Sequence, residues 1–202
     1  NFVHAVKTAD RLGMEIILGT GPGWSGAGGP WVDPARSMQH LRSSSTGVRG
    51  PGHFSGTLPV PEPRAPAHFA GLSDTLARIR NSWHADVAVL AFPTPDKTDP
   101  PELLEVKNLN ETQPYSIWKQ VPRYIPAGAE YPEPPAGAVI DRKRIIDLTS
   151  CLQPDGSLEW EIPEGQWTIM RFAARSTGAT TRPAPTPGHG FETDKFKPEA
   201  FA

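Results

Sequence analysis

A chain of 202 residues with 37% apolar and 21% charged residues carries enough apolar material for a sizeable core and is not intrinsically disordered. Its 20 Lys plus Arg against 22 Asp plus Glu leave a formal net charge of -2, with no basic run to follow a nucleic-acid backbone or an anionic membrane. The single cysteine, Cys151, excludes an internal disulfide and a thiolate zinc site, and no apolar run approaches the roughly 18 residues of a transmembrane helix.

Phe2, Val3, Val6, Ala9 and Leu12 recur at helical spacing, and Gly13 stands where a helix takes a left-handed cap. The run MEIIL follows at once. Its shortness and flanking glycines predict a strand buried on both faces, and a helix followed by such a strand is the rhythm of a parallel α/β sheet or barrel. A glycine-rich loop, GTGPGWSGAGGPWVDP, then leaves that strand, and Asp33 before Pro34 predicts the N-cap and first turn of a short helix bearing Met38 and Leu41.

From about residue 45 the pattern turns β-rich: SSSTGVRGPGHF, LPVPEPRAPAHF and VAVLAFPTPDKTDPPELLEV are short strands broken by proline and glycine. DVAVLAF is the clearest core strand. SLEWEIPEGQWTIMRFAA alternates Leu158, Trp160 and Ile162, then Trp167 and Ile169, which predicts a hairpin turning at PEG, with PDG at 154–156 as the turn before it. After Ala174 a second long loop, STGATTRPAPTPGHGFETDKF, leads to KFKPEAFA, the start of another helix. A chain that starts without Met inside a helix and stops at the opening of another is expected to be a piece of a longer protein. The 24 prolines, about twice the usual share of roughly 5%, favour loops and edge strands.

Several chemistries compete for the glycine loop. Gly21, Gly23 and Gly26 spell the dinucleotide fingerprint after a predicted strand, but AGGPWV follows where a helix N-terminus should meet a pyrophosphate, and no acidic residue lies about 20 positions on. GWSGA misses the nucleophile elbow because residue 27 is alanine, so Ser25 reads as a loop hydroxyl. The residue types suit a sugar subsite better: Trp24 and Trp31 offer flat apolar faces, Ser25 a hydroxyl, and Gly28 and Gly29 close backbone approach. Equally, both tryptophans could cap one end of a barrel.

Elsewhere, Glu192 and Asp194 are the carboxylates in a conspicuous loop; they are candidates for proton donor or base, for a substrate or cation contact, or for structure, with Asp194 pairing Lys195 or capping a helix. Glu159 and Glu161 flank Trp160 as a solvent face. His4, His40, His53, His68, His84 and His189 lack metal-ligand spacing and read as surface or core, His189 alone standing in a candidate loop, and Cys151 reads as a small buried apolar residue.

The stretches GPGWSGAGGPWVDPARSMQHL, LPVPEP, DVAVLAFP, IDLTSCLQPDGSLEWEIPEGQWTIMRFAARSTG and GHGFETDKF together resemble the N-terminal half of the glycoside hydrolase family 106 α-L-rhamnosidases, in the right order along nearly the whole chain. The resemblance implies a (β/α)8 barrel interrupted by a β-rich, sandwich-like insertion, in large, secreted or periplasmic, calcium-dependent, inverting enzymes. It divides the chain into a partial barrel at 1–44, the insertion at 45–175 and a return to the barrel at 176–202. It places the glycine loop at a carboxyl end of the barrel, as a wall of a sugar pocket built by Trp24, Ser25, Gly28, Gly29 and Trp31. The family's catalytic acids are expected beyond Ala202, which would leave this piece inactive by itself. The alternative is a noncatalytic carbohydrate-binding β-module; a dinucleotide-dependent oxidoreductase stands third. The implied partner is a glycoside, with no nucleic acid and no membrane span.

Overall fold

The computed structural model describes residues 2–17, 27–65, 71–95, 139–181, 184 and 186–201. Helix α1 (Phe2–Arg11) forms on its apolar spacing, and Gly13 ends it at φ 65°, with the Met14 amide donating to the Ala9 carbonyl and the Gly13 amide to that of Asp10. That is the paired closure a left-handed glycine permits.

Two expectations fail just after it. Met14–Ile17 form no strand, and Met14, Ile16 and Ile17 are exposed together with Phe2, Val3 and Val6 of the preceding helix and Leu12 just after it. A parallel strand exists only through neighbours on its edges, and among the described residues nothing pairs with this run. After Pro34 there is a single turn instead of a helix. Asp33 Oδ1 accepts from the Arg36 amide at 2.9 Å, as a cap would, but Ser37 is already bridged to Thr193 and the chain extends into a strand. The cap signal is local, and the strand partner overrides it.

The rest is mostly β, joined by short turns. Strands β1 (Gly28–Gly29) and β6 (Phe191–Glu192) pair antiparallel, Gly28 opposite Glu192 and Gly29 opposite Phe191. A four-stranded sheet has the order β2 (Gln39–Thr57), β5 (Ser157–Ser176), β3 (Ala85–Pro93), β4 (Ile146–Asp147). The stretch expected to be wholly β also holds a helix, α2 (Asp74–Ser82), capped by Ser73, whose hydroxyl accepts from the Leu76 amide. Serine followed by a helical run was a readable N-cap.

The described chain forms two compact units: residues 1–44, 60–87 and 171–202 make the first, and residues 45–59 and 88–170 the second. Strands β2, β3 and β5 contribute to both. The second unit has its own core of Leu58, Val89, Ala91, Leu148, Leu158, Ile162, Trp167 and Ile169, with Trp160 and Cys151 packed against it. Cys151 is therefore half-buried at the core margin.

The expected hairpin is instead one strand, β5, with the predicted inward residues. Its buried positions are even-numbered through Ile162 and odd-numbered from Trp167 to Arg175, so the alternation slips by one residue across Pro163–Gln166. Gly165, at φ 109°, takes up the slip as a bulge does. The rings of Trp160 and Trp167 meet edge to face with centroids 5.5 Å apart. Seven residues of straight strand would separate them by about 23 Å, so the backbone bends sharply here while remaining one strand. Glu159 and Glu161 are exposed, as expected, and Glu161 pairs with His53 Nδ1 at 2.7 Å.

Candidate functional site

Trp24 and Ser25, with the fingerprint glycines 21, 23 and 26, lie outside the described residues. Gly28, Gly29 and Trp31 are described, and the two glycines lie where the chain packs so closely that side chains would not fit. A Cβ on Gly28 would sit 2.9 Å from both Glu192 Cα and Thr181 Cγ2, and one on Gly190 would collide with the Gly29 backbone. Glycine at both positions lets the β1 and β6 backbones approach directly.

Trp31 covers the position a Gly29 side chain would fill, its Cζ2, Cη2 and Cε2 atoms lying 2.5–2.8 Å from that point. The indole thus rests on backbone. It is nonetheless 71% exposed, a supported aromatic surface of the kind that packs on the C–H face of a sugar.

Next to these residues, backbone bonds tie three segments together: the Thr193 amide to the Ala27 carbonyl at 2.7 Å, Asp194 to Arg36 at 2.8 Å, Met38 to Glu192 at 3.0 Å and Glu192 to Ala179 at 2.9 Å. Glu192, Thr193 and Asp194 are buried by this weave. Lys195 donates to Glu192 Oε1, and Asp194 Oδ1 accepts from the Phe196 amide at 3.0 Å. The ion pair expected between Asp194 and Lys195 is therefore made by Glu192, because Lys195 lies three residues after Glu192 and its stem reaches back over the turn that Asp194 closes. His189 is half-buried, with its amide on the Thr186 carbonyl at 3.3 Å.

A second constellation in the same unit was not singled out in the sequence. Arg80 and Arg175, each 3% exposed, lie beside one another. Arg80 donates from Nε to the Ser176 carbonyl at 3.0 Å, from Nη1 to Asn81 Oδ1 at 3.2 Å and from Nη2 to the Arg64 carbonyl, whereas Arg175 Nη2 donates to the Asn81 carbonyl at 2.8 Å. Gly178, at φ 77°, admits the Arg80 side chain against its Cα.

Neither guanidinium has a carboxylate partner among the described residues. Arg175 Nε is buried with no hydrogen-bond partner, and so is His40 Nε2. Burial, followed by the charges of Arg42, Arg80, Arg64 and Arg175, holds His40 below the ordinary imidazole range. Burial also lowers Arg80 and Arg175, Arg175 adding to the effect on Arg80 and Glu62 opposing it on Arg175; both stay protonated, as arginine does in proteins. Arg171, by contrast, is held by Asp86, Nε to Oδ1 at 2.7 Å and Nη2 to Oδ2 at 2.8 Å. That bidentate pair depresses the Asp86 carboxyl, with His84 adding to it.

With this geometry in place, the comparisons decide the family. The family model described as alpha-L-rhamnosidase, glycoside hydrolase 106, matches residues 1–202. The chain belongs to this glycoside hydrolase family. Over 199 residues it is 33% identical to a protein of Formosa agariphila named "Putative beta-glucuronidase", covering 98% of this chain and 15% of that protein. The solved structure of a rhamnosidase from Novosphingobium sp. PP1Y superposes with a TM-score of 0.60 at 23% identity, over 97% of this chain and 29% of that one, a likeness of fold. This glycoside hydrolase 106 chain thus spans a minor share of the length of either. The β-rich architecture agrees with the match.

Among the described residues no helix is long and apolar enough to cross a membrane, and no three His, Cys, Asp or Glu side chains gather into a metal-binding group. The described side chains thus supply no carboxylate cluster that fits a calcium ion.

Proposed function

We propose that the chain is part of a larger glycoside hydrolase that removes terminal α-L-rhamnosyl, or related, residues with inversion. In this reading Gly28, Gly29 and Trp31, joined by Trp24 and Ser25, form a wall of the sugar pocket. Residues 1–44 and 176–202 then belong to a (β/α)8 barrel and 45–175 to its β-rich insertion. The observation that carries the reading is the exposed Trp31 indole seated on Gly29, in a chain matched end to end by the family.

Inversion requires a protonated carboxyl for the leaving oxygen and a carboxylate to activate water, about 6.5–9.5 Å apart. Glu192, held by Lys195, and Asp194, closing a turn, have partners that suit bracing of the wall. We assign the catalytic pair to the remainder of the protein, and with it calcium dependence and export to the periplasm or exterior. The relatives' names differ in their sugar, so rhamnose is the reading and glucuronate its nearest rival.

The test is hydrolysis of aryl α-L-rhamnoside and aryl β-D-glucuronide by the whole protein, with and without a chelator, beside the 202-residue chain. Rhamnoside cleavage by the whole protein alone, giving the inverted sugar as first product, supports the proposal. Glucuronide cleavage alone would replace the sugar. A noncatalytic β-module is the second reading, favoured by the separate core of the second unit; glycan binding without hydrolysis by the whole protein would establish it.

A further inference from the structure

Among the described residues, the buried cations of the first unit have no carboxylate hydrogen-bonded to them, a feature that the sugar-pocket reading neither uses nor explains. Arg80 and Arg175 share Asn81 as acceptor, one through its side chain and the other through its carbonyl, so two guanidiniums are held together away from water. Each of their acceptors among the described residues is a neutral carbonyl or amide oxygen. Buried charge is tolerated when it is paired, and like charges brought together without a counterion oppose folding.

The charged and titrating groups that face the cluster come from four elements: His40 and Arg42 from β2, Glu62 and Arg64 from the segment after it, Arg80 from α2 and Arg175 from β5. Glu62 is exposed and acts on Arg175 through its charge. The two orphaned atoms, Arg175 Nε and His40 Nε2, belong to this same group. A neutral imidazole with its proton on Nε2 is a donor, and so is Nε of arginine. Among the described residues, two buried unused donors beside two guanidiniums with no hydrogen-bonded carboxylate are what a planar oxyanion would satisfy.

We propose that Arg80, Arg175 and His40 form a carboxylate-binding site. The carboxylate accepts from Arg175 Nε and His40 Nε2 and neutralises the adjoining guanidiniums. It is either a small free acid, such as a sugar acid, or an acidic side chain of the whole protein; the chemistry of recognition is the same.

The experiment is thermal unfolding of the whole protein in sodium acetate against sodium chloride at equal ionic strength. If the site takes a free acid, about 100 mM acetate raises Tm by about 2 °C or more, and Arg175→Gln abolishes the rise. Should Arg175→Gln fail to fold, His40→Ala, at a half-buried position, must reduce the same response at least several-fold. If a protein side chain fills the site, acetate changes nothing, and the stability gap between the protein and Arg175→Gln closes as pH falls through the carboxylate range. That second arm is run in a His40→Gln, Glu62→Gln background, which leaves only arginines among the charged groups named above. A carboxylate paired with arginine has a lowered folded pKa, so its stabilisation is present above the unfolded value, about 4, and is lost below it. An absent acetate response together with a pH-independent gap overturns the proposal.

Discussion

The wall of the first unit rests on atoms that are absent. Because a Cβ on Gly190 would enter the Gly29 backbone, Gly190→Ala should destabilise the protein by about 2 kcal/mol or more, read from denaturant unfolding. Trp31 predicts the opposite balance. With most of its surface in water, Trp31→Ala should shift stability by less than about 1 kcal/mol while lowering kcat/KM for the aryl glycoside at least several-fold. A large loss of stability with unchanged turnover per folded molecule would make Trp31 a structural cap. The Arg171–Asp86 pair adds a pH-dependent contribution. Asp86 is partly exposed, so Asp86→Asn should cost about 1–2 kcal/mol at neutral pH. Since Arg171 lowers the Asp86 pKa when folded, this stabilisation exists above the unfolded value, near 4, and disappears as pH falls through the folded one. Urea titrations of both proteins should therefore converge in acid.

Among the elements, β5 best shows what sequence periodicity carries. Leu158, Ile162, Trp167 and Ile169 were all legible as inward residues, because alternation records which face is dry. The connection between the two runs was not legible. A proline and glycine between alternating runs fits a hairpin turn or a bulged corner equally, and the choice depends on what lies alongside, here β2. The same limit explains the other misses. Asp33 gave a true local cap but not the strand that follows, MEIIL gave apolarity but not a pairing partner, and Ser73 before α2 was masked by its β-rich neighbourhood. In the candidate site, Gly28, Gly29 and Trp31 were singled out by residue type alone, whereas Arg80 and Arg175, 95 positions apart in sequence, become a pair only through folding. The corner supports a direct expectation. Trp167 is buried, meets Trp160 edge on and donates from Nε1 to the Glu164 carbonyl at 3.3 Å, so Trp167→Ala should cost about 3–5 kcal/mol. Trp160→Ala, at a half-buried position, should cost distinctly less, and equal losses in calorimetry would contradict the corner packing.

For the molecule as a whole, the apolar residues left in water matter as much as those in the core. Phe2, Val3, Val6, Leu12, Met14, Ile16 and Ile17 are exposed in sequence order along α1 and the run after it, a concentration of large apolar side chains that soluble surfaces rarely leave uncovered. The spacing in α1 is that of a helix packed on one face, and Ala9 is its buried residue. The chain covers 29% of the solved rhamnosidase and 15% of the Formosa agariphila protein, so most of either protein's length lies outside the matched region. If the remainder of the protein covers this face, the 202-residue chain in isolation should bind a hydrophobic dye strongly and associate with itself, as an unpaired apolar run does. Replacing Val3 and Val6 with Glu should then reduce dye binding and association by the isolated chain, because the change places charge on water-facing positions. In the whole protein the same pair should lower stability by about 2 kcal/mol or more, since each charge would enter a covered face. Light scattering of the chain and thermal unfolding of the whole protein give the two readouts. Improved solubility in both would mean that the face meets water in the complete molecule as well.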